Sequence, residues 1–164
     1  MNTDRIVRWN RDRGLMKTFN PNLEAKMLTE EAREFFLASE VEHMLQEAAD
    51  FMFVKTGTVA KYFAQESEGV QKLLSDYDHF NHMFEWMRDT IDCMVDVLTS
   101  KYIACGFPTI QLESDLELAL SFVCNANDAK GKEKVDGKVV KGKYYIDPIE
   151  QIRDYLKEEY GYRA

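Results

Sequence analysis

Only three prolines and eight glycines interrupt the 164 residues of this chain, so long stretches run without a built-in break. Most of those stretches repeat at helical spacing. Pro21 follows Asn20, and residues 22 to 37 are strong helix formers with Leu23, Met27, Leu28 and Phe35 spaced for one helix. Ser39 with Glu42 forms a capping-box pattern that opens a second helix, and Thr56-Gly57 is expected to close it. A further helical stretch starts near Val59, another runs from about Phe84 to Ala104 and stops at Cys105-Gly106-Phe107-Pro108, and Ser114 is placed to cap the run Asp115 to Cys124. From Asn125 to Tyr145 periodicity gives way to a lysine-rich loop, in which Val135 to Val140 suit a small hairpin around Asp136-Gly137. Asp147-Pro148 then starts a last helix to about Tyr160, with Gly161 as its stop. The expected fold is an all-α helical bundle in a single domain over residues 1–164, with a basic C-terminal loop or small hairpin and a final helix.

Charge narrows the classes of partner. Twenty-nine acidic against 21 basic residues leave a formal charge of -8, which argues against binding nucleic acid through its phosphates and suits a protein that holds divalent cations. No apolar run approaches the roughly 18 residues of a membrane span, and the polar start Met1-Asn2-Thr3-Asp4-Arg5 does not resemble a secretory signal. A cytoplasmic protein is expected, with no membrane partner. The three cysteines lack CxxC spacing, and no P-loop, GxGxxG or GxSxG occurs.

The chemistry lies in acids that share the apolar stripes. Residues three or four apart lie on one helix face, which puts Glu31 and Glu34 in line with Leu23, Met27 and Ala38, while Lys26 and Arg33 fall to the side. In the second helix Glu47 and Asp50 share a face with His43, Phe51 and Val54. His43 is expected to be a buried hydrogen-bonding histidine beside them. Buried carboxylates need a cation, and no lysine or arginine lies on the stripe of Glu31 and Glu34. Two antiparallel helices joined near Ser39 would gather all four oxygen donors, a set that favours Mg²⁺ or Mn²⁺ over zinc. The alternative is an ordinary solvated acidic face.

The same residues carry a family resemblance. Glu30-Glu31-x-x-Glu34, twelve residues, then Glu47-x-x-Asp50 resembles the EExxE…ExxD pattern of the MazG-type all-α nucleoside triphosphate pyrophosphohydrolases. Trp9-Asn10-x-x-Arg13-Gly14-Leu15 and Phe19-Asn20-Pro21 are similar to the start of phage-type members. Val123-Cys124-x-x-Asn127-x-x-Lys130, then Asp136-Gly137-Lys138-Val139 and Lys141-Gly142, resembles the C-terminal segment of phage and phosphoribosyl-ATP-pyrophosphohydrolase-like members. Two departures stand out: residues 59–103 read as a helical insertion, and Phe122 stands where a glutamate is often found.

The resemblance implies Mg²⁺-dependent hydrolysis of a nucleoside triphosphate, expected to be a deoxynucleotide, to monophosphate and pyrophosphate. Glu31, Glu34, Glu47 and Asp50 would hold the metal, and Glu30 or Glu34 would handle the attacking water. Arg13, Lys130 and Lys143 would neutralise phosphate oxygens, Asn127 would hydrogen-bond substrate, and Tyr144 could stack on the base. A homo-oligomer, dimer or tetramer, in the cytoplasm (the host's, if viral) is also implied. A noncatalytic metal- or partner-binding protein derived from the same fold is the rival reading. A second acidic stripe, Glu85, Asp89, Asp92 and Asp96, has its own apolar face behind it and is read more simply as solvated.

Overall fold

The computed structural model describes residues 2–65, 70–131, 134–135, 138–139 and 145–163. Among them are six α-helices, short 3-10 turns and a pair of two-residue strands, and the architecture is the expected all-α bundle. None of the described helices is long and apolar enough to cross a membrane.

The first helix, α1 (Asn2–Asp12), was not expected, because few of its residues are apolar; it buries Ile6, Trp9 and Asn10. Gly14 ends this segment at a positive φ of 67°. The chain then reaches Asn20, whose side chain accepts from the backbone N–H groups of Asn22 and Leu23 at 3.1 and 3.2 Å. That cap, with Pro21 in the first turn, starts α2 (Pro21–Leu37). Leu28, Ala32 and Phe35 form its buried face.

At the centre is α3 (Val41–Ala64), which packs on α1, α2 and three later helices, and Val41, Leu45, Ala49 and Phe51 are fully or almost fully buried. Two expectations are corrected here. Ser39 is exposed and caps nothing; Glu40 is the N-cap residue, and Glu42 is sealed in the interior. There it accepts from the Tyr162 hydroxyl at 2.5 Å and from Arg153 Nε at 3.3 Å, partners that local sequence does not show. Nor does Gly57 end the helix. A Cβ at this position would lie 3.0 Å from the Asn10 amide nitrogen, so the glycine serves the close approach of α1 across α3.

The next helix, α4 (Val70–Cys105), joins stretches expected to be separate. Met87, Met94, Leu98 and Tyr102 point into the core, and Gly106 closes the helix at φ 73°. Glu85, Asp89, Asp92 and Asp96 are all exposed, as a solvated face requires.

Helix α5 (Leu112–Asp128) starts before Ser114, with Gln111 at its cap, and continues past Asn125, so Asn127 is helical rather than in a loop. Lys134–Val135 pairs antiparallel with Lys138–Val139, as in the expected hairpin; the Asp136-Gly137 turn lies outside the described residues. Asp147 caps α6 (Pro148–Tyr160) by accepting from the Ile149 N–H at 3.1 Å, and Gly161 closes it at φ 66°, both as expected.

Two buried carboxylates fasten α6 to the bundle. Glu42 of α3 takes Arg153 and Tyr162, while Asp115 of α5 accepts the hydroxyls of Tyr155, Tyr160 and Tyr102 at 2.6, 2.7 and 2.7 Å.

Candidate functional site

The tight connection after α2 folds α3 back along it. That brings the fourth turn of α2 against the second and third turns of α3. One carboxylate oxygen each from Glu31, Glu34 and Glu47 fall within 4.8 Å of one another. With Asp50 they line a cavity of about 320 Å³. The rest of the lining comes from α5, through Val123, Ala126, Asn127 and the following Lys130, and from the entry to α6, through Tyr145, Asp147 and Pro148. The four acids expected to converge do converge.

Like charges and partial desolvation dominate this cavity. Burial and the neighbouring charge and hydrogen bond of Glu34, with Glu31 and Asp147 adding, push the Glu47 carboxyl up to about 8. Its Oε2 atom is shut off from water and has no hydrogen-bond partner. Asp50 is raised well above the usual carboxylate range by burial and by Glu31 and Glu47, with Lys130 opposing the rise. The Tyr145 phenol is pushed up to about 12, first by burial and then by Asp50 and Asp147.

Such a cluster favours either protons or a metal cation. Its donors are carboxylate oxygens, and no cysteine lines it. Oxygen-only donors around an orphaned buried oxygen suit a hard divalent cation such as Mg²⁺, which keeps part of its water shell.

The remaining expected residues divide. Asn127 and Lys130 line the cavity, although the Asn127 amide nitrogen is already engaged by the Val123 carbonyl of its own helix at 2.9 Å. The Lys130 ammonium stands 5.6 Å from the centre of the Tyr145 ring. Glu30, one residue round the helix from Glu31, is not part of the lining. Neither is Arg13, which reaches backbone carbonyls at the end of α5. His43 is exposed, 3.8 Å from Glu40, rather than buried beside Glu47. Lys143 and Tyr144 lie outside the described residues.

Gln46, Tyr145, Asp147 and Pro148 line the cavity without having been singled out for it. Asp147 was visible only as a helix cap; its second role depends on where α6 docks. No protein-family model, curated protein or solved structure matches the chain, so the reading of this site rests on its residues.

Proposed function

We propose that the chain is a Mg²⁺-dependent nucleoside triphosphate pyrophosphohydrolase, releasing a nucleoside monophosphate and pyrophosphate from what is expected to be a deoxynucleotide. The observation that carries this reading is the meeting of Glu31, Glu34, Glu47 and Asp50 with Lys130 on one cavity. Acids alone would suit a storage or structural cation; a cationic side chain in the same lining suits a ligand that is itself anionic and arrives with the metal.

In this reading Glu31, Glu34, Glu47 and Asp50 hold Mg²⁺, which supplies charge to polarise phosphoryl oxygens and acidify water. Glu34 is the most exposed of the three clustered glutamates, so it is the better placed to orient the attacking water; Glu30 stands outside the lining. Lys130 neutralises phosphate oxygens as charge moves toward the pyrophosphate leaving group. Asp50 and Glu47, partly withdrawn from water, favour the metal over free solvent exchange. The Tyr145 ring, beside Lys130, offers a flat surface for the sugar or base. Lys143, Tyr144 and a homo-oligomeric assembly remain part of the proposal through the family resemblance.

Product analysis tests the reaction. A panel of ribo- and deoxynucleoside triphosphates incubated with Mg²⁺ should give monophosphate and pyrophosphate in equal amounts. Diphosphate with orthophosphate would place cleavage at another bond and sink the proposal. Metal binding without turnover on any nucleotide would leave the noncatalytic reading.

A further inference from the structure

Arg13 looks by sequence like a phosphate ligand, but its guanidinium is turned elsewhere. Nε donates to the Gly131 carbonyl at 3.3 Å and Nη1 to the Trp9 carbonyl at 3.3 Å. Nη2 donates to the Lys130 carbonyl at 2.9 Å and reaches the Asn127 carbonyl at 3.5 Å. The whole group stacks 4.4 Å from the centre of the Trp9 ring, and the Trp9 indole N–H itself donates to the Asn127 carbonyl at 2.7 Å. A guanidinium has five N–H donors in a fixed fork; here all three nitrogens face main-chain oxygens.

Those oxygens belong largely to the last turn of α5 and the residues just beyond it. Helix ends leave carbonyls without intrahelical partners, and α5 stops at Asp128, two residues before Lys130. Arg13 and Trp9, both from the first segment of the chain, supply donors to that end. Lys130 thereby leaves a held backbone, and it lines the cavity with the carboxylates.

We infer that Arg13 is a positioning residue: by clamping the end of α5 it holds Lys130 against the acidic cavity, and it touches no phosphate itself. This rests on the cavity being the functional site, but not on which reaction occurs there.

The full-length protein and five variants test it: Arg13→Ala, Arg13→Lys, Lys130→Ala, the Arg13→Ala/Lys130→Ala double, and Trp9→Phe. The first readout is Mn²⁺ affinity without nucleotide. A nearby ammonium opposes cation binding, so Lys130→Ala should tighten Mn²⁺ binding by roughly threefold or more. Arg13→Ala should do much the same, and the double variant no more than Lys130→Ala alone. Arg13→Lys keeps the charge but not the fork, so it should resemble Arg13→Ala. Trp9→Phe, which keeps an aromatic ring and loses one donor to Asn127, should fall between, and remains informative if Arg13→Ala does not fold.

Amide exchange over residues 127–131 should quicken in the Arg13 variants. If nucleotide is hydrolysed, loss of kcat/KM should likewise be non-additive across the pair. Additive effects, or wild-type behaviour of Arg13→Lys in both Mn²⁺ binding and exchange, would overturn the inference. Absence of hydrolysis by the wild type would end the enzyme proposal, while the Mn²⁺ and exchange measurements would still decide the role of Arg13. If the wild type binds no Mn²⁺, the inference falls with the site.

Discussion

Burying a carboxylate is costly unless donors meet it, and the bundle meets most of its own. Glu24 has Lys61 and Thr58, Glu42 has Arg153 and Tyr162, and Asp115 has three tyrosine hydroxyls. Glu47 breaks the pattern, with one oxygen sealed and unpartnered. Its folded-state titration near 8 lies far above the roughly 4.3 of an unfolded glutamate. The fold therefore prefers the protonated acid, so this contribution is fully present below about pH 4 and is lost as pH rises through about 8. Glu42 runs the other way: its carboxyl is lowered, so its contribution is present above the ordinary glutamate value and lost in acid. Melting of the metal-free protein from pH 5 to 8.5 should show Tm falling with pH, and Mg²⁺ should raise Tm more at pH 8 than at pH 5.5. A Mg²⁺ increment independent of pH would contradict the role given to Glu47. The Glu24–Lys61 pair offers a control away from the cavity. Lys61→Met should cost about 3–5 kcal/mol in a denaturant titration by stranding Glu24. Adding Glu24→Met should recover much of that loss.

At the scale of elements, α6 decides the shape of the cavity, because Tyr145, Asp147 and Pro148 enter it from the start of that helix. The helix is held from behind by the tyrosines on Asp115 and by Arg153 on Glu42. Asp115→Leu removes the acceptor that three buried or half-buried phenols share and should destabilise by about 3 kcal/mol, whereas Tyr155→Phe should cost about 1 kcal/mol. Both are read by chemical denaturation, and faster amide exchange in α6 should accompany the first. These fastenings join residues far apart in the chain, which explains what sequence reading missed. Helix starts such as Asn20-Pro21 and Asp147-Pro148 were legible because a cap is a local device. Gly57 was misread as a stop because its purpose is the approach of Asn10 from another helix. Glu42 was misread as a capping acid because its partners, Arg153 and Tyr162, follow more than a hundred residues later.

For the molecule as a whole, the acidic half of the site could be read from two helices, since Glu31, Glu34, Glu47 and Asp50 follow from periodicity and one tight connection. The other half could not, because α5 and α6 reach the cavity only through the packing of the bundle. Nothing in local spacing marks Tyr145 or Gln46 as lining it, and Arg13 lies in a stretch that resembles a family's start while its guanidinium donates to carbonyls at and beyond the end of α5. The proposal that these carboxylates hold Mg²⁺ for pyrophosphohydrolysis requires the charge on Glu47. It is tested most directly by the rate of pyrophosphate release under saturating Mg²⁺, comparing wild type with Glu47→Gln. The substitution keeps the shape and removes the charge. The wild type should release pyrophosphate in a metal-dependent way and the variant should lose about a hundredfold or more, with folding intact by circular dichroism. Equal rates in the two proteins, or no release from the wild type on any nucleoside triphosphate, would contradict it.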